Sequence, residues 1–161
     1  MRAPEDLALT LMRRAVALSA EKMAAGFGGP FGAIIARGSE VIASGWNQVT
    51  SANDPTAHAE IVAIRDACRA LCSFSLRGCD IYTSCEPCPM CLGAIYWARL
   101  DRVYYANTRA DAAAIGFDDA AIYREVQAGI GERSLPFVRL AADEARRVFD
   151  AWLAKPDKIR Y

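Results

Sequence analysis

His58, the one histidine in this 161-residue chain, stands two residues before Glu60 and upstream of the run Pro87-Cys88-Pro89-Met90-Cys91. An imidazole and two thiolates make three zinc ligands. Three protein ligands leave the fourth tetrahedral position to water, as in a catalytic zinc site, whereas structural sites are closed by four. Zinc in such a site brings the pKa of water towards neutrality. Two positions apart on a helix, the side chains of His58 and Glu60 diverge, so Glu60 need not bind the same ion. It is free to carry a proton between water and substrate. The chemistry these residues can do is zinc-assisted hydrolysis.

A third cysteine complicates the ligand set. Cys85, Cys88 and Cys91 are evenly spaced, so Cys85 with Cys88 also satisfies C-x-x-C. Cys88 and Cys91 are the preferred pair because Pro89 suits the first position of a helix, which puts both cysteines at its opening turn. Helix N-termini carry partial positive charge and favour thiolates. Cys85 falls at a strand end, where a packed thiol is the simpler reading. Were Cys85 a fourth ligand, the zinc would be structural and the chain a non-catalytic zinc-binding module. Glu60 argues against that, because a sealed site has no use for a proton carrier.

Positioning these residues requires two helix N-termini brought together, and the sequence pattern supplies them. An amphipathic helix over Glu5 to about Ala25 carries Leu7, Leu11, Ala15 and Leu18 on one stripe. Phe31 to Ala36 and Val41 to Gly45 read as a β-hairpin around Arg37-Gly38-Ser39-Glu40. After a polar loop from Gln48 to Pro55, a helix capped by Thr56 puts His58 in its first turn and buries Ile61, Ile64, Cys68 and Leu71. Asp80 to Ser84 is a third strand, Pro89 to about Arg99 the second metal-site helix, and Arg102 to Ala106 a fourth strand. Ala110 to Val126 is helical with a break near Gly116, Pro136 to Leu140 is a fifth strand, and Asp143 to Ala154 a last helix. Alternation of this kind predicts a three-layer α/β/α sandwich around one five-stranded mixed sheet. The whole of 1–161 reads as one domain with a C-terminal tail from about 155.

Composition narrows the partners. With 53% hydrophobic residues the chain can fill a sizeable core. Nineteen basic residues balance nineteen acidic ones, which argues against a polyanion-binding surface. Near the C-terminus, Arg146, Arg147, Lys155, Lys158 and Arg160 are interleaved with Asp143, Glu144, Asp150 and Asp157 rather than grouped. No membrane span and no signal peptide is expected. The six cysteines then read as reduced thiols of a cytoplasmic protein, with Cys68, Cys72 and Cys79 packed in the core.

The order H-x-E followed by P-C-x-x-C is the signature of zinc-dependent nucleobase deaminases, and the likeness runs further. Asn53-Asp54-Pro55-Thr56-Ala57-His58-Ala59-Glu60 and the stretch from Thr83 to Ala98 resemble the cytidine-deaminase-like superfamily. Gly29-Pro30-Phe31-Gly32-Ala33, Gly116-Phe117-Asp118-Asp119 and the terminal tyrosine are similar to the small bacterial guanine deaminases within it. That resemblance implies one zinc per chain on His58, Cys88 and Cys91, with Glu60 as the proton carrier. It implies that Phe31 and Asn47 hold the purine, that the Ala59 backbone and Glu86 lie beside the reacting carbon, and that Trp97 walls the pocket. Asp119 would contact the base, and Tyr161 would close the site from the tail, which family members exchange between the subunits of a homodimer. The implied reaction is hydrolysis of guanine to xanthine and ammonia. The same fold accommodates cytosine, guanosine or a tRNA adenosine as alternative substrates.

Overall fold

Between Gly32 and Asn107 the chain lays down four strands whose side chains alternate between two apolar layers. The structure is a computed structural model, and it describes residues 5–160. It divides into two compact units that meet after Asp119.

The first unit, 5–119, opens with helix α1 (Glu5–Ala24), followed by strands β1 (Gly32–Arg37) and β2 (Glu40–Trp46). A short helix α2 (Val49–Ala52) leads into α3 (Ala59–Ala70). Then come β3 (Asp80–Cys85), α4 (Pro89–Trp97), β4 (Arg102–Asn107) and α5 (Arg109–Ala114). The sheet order is β2-β1-β3-β4. β1 runs antiparallel to β2 and to β3, while β3 and β4 are parallel. A parallel pair needs a crossover, and α4 is that crossover, which carries the second half of the metal motif back over the sheet.

Alternation along β1 and β3 sorts the core. Ala33, Ile35 and Ile81 pack on one face with Ala59, Ala63 and Ala67 of α3 and Ile95 of α4. Ile34, Ala36 and Tyr82 pack on the other with Leu11 and Ala15 of α1. The result is an α/β/α arrangement, and β1 and β3 are apolar on both sides because each is covered twice. Ile61 is buried, and Ile64, Cys68 and Leu71 pack beside the α3 layer as expected. The alanine row of α3 was not anticipated: small residues bring the helix close to the sheet. A Cβ on Gly45 of β2 would stand 2.2 Å from the Ala59 carbonyl oxygen and 2.6 Å from the Ala63 nitrogen. Only glycine permits that approach.

The second unit, 120–160, contains α6 (Ala120–Gln127), a single 3₁₀ turn (Ile130–Glu132) and α7 (Ala142–Ala154). The Glu125 carboxylate accepts the Ser134 amide, and the Arg133 guanidinium donates to the Glu125 carbonyl. None of its described residues is buried.

Four expectations need correction. The sheet has four strands: residues 136–140 form none, although their apolar character imitates one. Pro136 lacks an amide donor, and Val138 and Leu140 are exposed. The loop from Gln48 contains the one-turn helix α2. The cap of α3 is His58, in extended backbone at φ −68° and ψ 155°, instead of Thr56. Thr56 is unavailable because Asp54 Oδ1 accepts both its amide, at 2.8 Å, and its hydroxyl, at 2.7 Å. Finally, Cys79 is buried and Cys68 half-buried, but Cys72 is exposed just beyond the C-cap of α3, where its φ of 48° turns the chain away.

Candidate metal centre and active site

The N-termini of α3 and α4 converge. His58 caps α3, Cys88 caps α4, Pro89 takes the first helical position and Cys91 lies in the first turn. The His58 Nδ1 atom is 3.6 Å from Cys88 Sγ and 3.5 Å from Cys91 Sγ. All three ligand atoms lie within 4.8 Å of one another, the one such group among the described residues that includes a histidine. Tetrahedral zinc with ordinary Zn–N and Zn–S bonds separates nitrogen from sulfur by about 3.6 Å. Both nitrogen-to-sulfur distances therefore match a shared zinc ion.

Electrostatics divides the two thiols. Cys88 is held down to about 4, chiefly by the hydrogen bond from Cys91, with His58 adding to the effect and burial opposing it. The Cys91 thiol is pushed up by that same bond, by burial and by the Glu60 charge. His58 is raised, first by its hydrogen bond to Cys88 and against its own burial. Both cysteines would have to bind zinc as thiolates, so metal binding would release protons.

Glu60, in the first turn of α3, is 6% exposed. Burial pushes its carboxyl above the ordinary carboxylate range, the Cys88 charge adds to this, and a backbone hydrogen bond opposes it. From β3, the Thr83 hydroxyl lies within reach of two acceptors, Glu60 Oε1 at 3.4 Å and the Cys85 carbonyl at 3.0 Å, to one of which it donates at a time. Sequence reasoning passed over Thr83. Its signal was available: a polar residue in the same register as Ile81, on the face that packs against α3.

Cys85 stands apart from the three-ligand group. It is buried at the end of β3, its sulfur 3.6 Å from the Thr108 carbonyl oxygen, and burial pushes the thiol up to about 11.

The remaining expected residues lie on several elements. Asn47 follows β2 and is 7% exposed. Its Oδ1 accepts the Gly29 amide at 3.3 Å and the Val49 amide at 3.2 Å, so the oxygen is committed to the backbone. Its backbone N–H donates to the Phe31 carbonyl at 3.1 Å, which joins the two residues and leaves the side-chain amide group out of that bond. The half-buried Phe31 ring meets Phe117 edge-on at 4.9 Å. Phe117 is the second residue missed as an individual, although its Gly-Phe-Asp-Asp segment was noticed. Ala59 is the first residue of α3 and is fully buried. Glu86 turns towards α5, its Oε2 accepting the Arg109 amide at 3.1 Å. Trp97, at the end of α4, is 64% exposed with the Arg99 guanidinium 5.9 Å over its ring. The Asp119 carboxyl is raised by burial and by the Cys88 charge, with Arg109 opposing. Tyr161 lies outside the described residues.

Comparison with known proteins agrees with this geometry. The family model of the cytidine and deoxycytidylate deaminase zinc-binding region matches residues 6–107. The guanine deaminase of Bacillus subtilis (strain 168) is 51% identical over 152 residues, covering 94% of this chain and 97% of that protein. The X-ray structure of the Bacillus subtilis guanine deaminase superposes with a TM-score of 0.92 over 94% of this chain and 97% of that one, at 51% identity. A tRNA-specific adenosine deaminase from Aquifex aeolicus is 44% identical over 77 residues, 48% of this chain and 51% of that protein. The metal ligands and the fold that carries them place the chain in the cytidine and deoxycytidylate deaminase zinc-binding family, to which it belongs.

Proposed function

We propose that the protein hydrolyses guanine to xanthine and ammonia. The observation that carries this reading is the extent of the likeness to the Bacillus subtilis guanine deaminase, which runs almost end to end, whereas the likeness to the tRNA-specific enzyme stops at half the chain. The balanced charge supports a small substrate over a polyanion.

His58 Nδ1 and the sulfurs of Cys88 and Cys91 would hold the zinc, which would supply the Lewis acidity that makes water nucleophilic at neutral pH. Glu60 takes a proton from the attacking water as the water oxygen bonds to C2 of the base, and delivers it to the adjacent ring nitrogen. Glu60 then carries the second water proton to the amine, the C2–N bond breaks, and ammonia departs. No electrons are exchanged with any other group. The raised affinity of buried Glu60 for a proton suits this exchange.

Around the base, Asn47 offers its amide N–H groups, because its oxygen is already occupied. Phe31 stacks on the ring, and Asp119 accepts from its N–H groups. The Ala59 backbone and Glu86 flank C2, and Trp97 contributes to the wall. The enzyme works as a homodimer that exchanges C-terminal segments. Two features support this: β4 ends the sheet, and 120–160 keeps Ile122, Val126, Phe149 and Leu153 exposed. Six unpaired cysteines support a reducing compartment, the cytoplasm. Among the described residues no helix is long and apolar enough to cross a membrane.

The test is steady-state assay of the zinc-loaded protein on guanine, with xanthine and ammonia followed together. Cytosine, guanosine and tRNA are run beside it. Equimolar xanthine and ammonia from guanine bear out the reading. A higher kcat/KM on any of the other three overturns the substrate assignment.

A further inference from the structure

We propose that Phe117 is a positioning residue for the base: its ring latches Phe31 against Gly29 and fixes the tilt of the aromatic face that the purine meets. The proposal rests on the guanine reading above.

Four observations carry it. The Phe117 and Phe31 rings stand at 89° with centroids 4.9 Å apart. Phe117 is 45% exposed and belongs to neither core cluster. The chain folds back to reach that contact, with the Phe117 amide donating to the Ala112 carbonyl at 3.0 Å. Gly29 makes the seat. A Cβ there would stand 3.1 Å from Phe117 Cζ and 3.2 Å from Phe31 Cδ2 and Cε2. Gly29 is not among the glycines with positive φ, so the ring pair, and not the backbone, explains the missing side chain.

The latch is wired into the base-holding residues. The Gly29 amide donates to Asn47 Oδ1 at 3.3 Å, the Asn47 amide to the Phe31 carbonyl at 3.1 Å, and the Phe31 amide to the Gly29 carbonyl at 2.8 Å. Gly29, Phe31 and Asn47 therefore form a closed circuit of hydrogen bonds, and Phe117 presses on the one ring in it. An edge-to-face partner restricts how a ring can tilt, and a base that stacks on Phe31 must match that tilt. Phe117 thus acts on substrate binding through Phe31.

The experiment measures KM and kcat on guanine, with zinc content, for wild type, Phe117→Ala, Phe117→Tyr, Gly29→Ala and the double variant Gly29→Ala/Phe117→Ala. Losing the aromatic pair is expected to raise KM about threefold to tenfold, with kcat within about twofold and zinc content unchanged. Phe117→Tyr keeps the ring and restores KM. Gly29→Ala raises KM from the opposite side by forcing the rings apart. In the double variant the vacated space relieves that clash, so the two effects add to less than their sum. An unchanged KM in Phe117→Ala overturns the proposal. So does a loss confined to kcat, which would mean that Phe117 serves only the segment of Asp119. Should Phe117→Ala not fold, Gly29→Ala with normal KM overturns it equally. The wild type separates the two claims: a wild type inactive on guanine fails the activity reading, whereas an active wild type matched in KM by Phe117→Ala fails the latch.

Discussion

Thr83 Oγ1 lies 3.4 Å from Glu60 Oε1 and 3.0 Å from the Cys85 carbonyl oxygen, so a single hydroxyl hydrogen faces two acceptors. The carbonyl can only accept. As long as the hydrogen points there, the hydroxyl oxygen faces Glu60 with its lone pairs and can receive a proton held by the carboxyl. When the hydrogen swings, it meets the carboxylate. Strand β3 thus supplies a polar contact, of either sense, to a side chain that α3 has buried.

Glu60→Gln keeps the shape and the hydrogen-bonding capacity of the side chain but cannot carry a proton. It is expected to retain zinc and lower kcat by about 10²- to 10⁴-fold, the usual reach of general acid–base catalysis. Thr83→Val, which removes only the hydroxyl, is expected to lower kcat by about tenfold or less, in keeping with one hydrogen bond, while Thr83→Ser stays near wild type. Metal analysis beside steady-state kinetics checks all three. Zinc loss in Glu60→Gln would make Glu60 a ligand, and an inactive Thr83→Ser would show that the methyl group matters instead.

Cys85→Ser is expected to leave zinc near one per chain, because its sulfur faces the Thr108 carbonyl and stands outside the three-ligand group. Cys88→Ser and Cys91→Ser should each lose the metal at low micromolar chelator, since two ligands no longer satisfy a tetrahedral site. Atomic absorption after gel filtration reads the result. A metal-free Cys85→Ser would put the wrong cysteine pair on the zinc.

The metal centre was legible in the sequence because its residue types are scarce: with one histidine, the ligand search begins at His58. The helices α1 and α3 followed from periodicity, since each buries a face, whereas β1 and β3 were legible as short apolar runs, buried on both sides. What remained hidden depends on distant partners. Thr83 matters because β3 passes under α3, and Phe117 because the chain after α5 folds towards the start of β1. The local pattern marks Thr83 as a polar residue on an apolar face but does not name Glu60 as its partner, and it leaves no mark of the Phe31 and Phe117 pair. Residues 136–140 show the converse. Their apolar run satisfies the local requirement for a strand, yet a strand exists only by pairing, and β4 ends the sheet. At the start of α3, Thr56 has the chemistry of a cap, but Asp54 had already engaged it.

Tyr82 ties stability to alkaline pH. Its ring stacks on Tyr104 with centroids 4.6 Å apart, and burial pushes the phenol from 10.0 up to about 12, with Tyr104 and Asp80 adding and Arg102 opposing. Above the unfolded value the unfolded chain gives up this proton while the folded protein keeps it. The unfolded state then binds fewer protons, so stability falls as pH rises from 10.0 to about 12 and is unaffected below. Tyr82→Phe removes the group. Its urea midpoint is expected to fall less than that of the wild type between about pH 8 and about pH 11. Parallel losses in the two proteins would exclude Tyr82 as the source.

Gly45→Ala tests whether sheet and metal centre are one mechanical unit. The added Cβ would stand 2.2 Å from the Ala59 carbonyl oxygen and 2.6 Å from the Ala63 nitrogen, and both are backbone atoms of α3 that cannot swing aside. The helix must move off β2, at a cost of about 1–3 kcal/mol typical of overpacking. His58 caps that helix and Glu60 sits in its first turn, whereas Cys88 and Cys91 belong to α4. The displacement therefore pulls the imidazole away from the two sulfurs, and zinc affinity should fall together with the urea midpoint. Chelator competition and urea unfolding, measured on the same preparation, distinguish the cases. Lost stability with unchanged zinc affinity would mean that α3 can shift without carrying its cap residue, and the rigid coupling between Gly45 and the metal site would not hold.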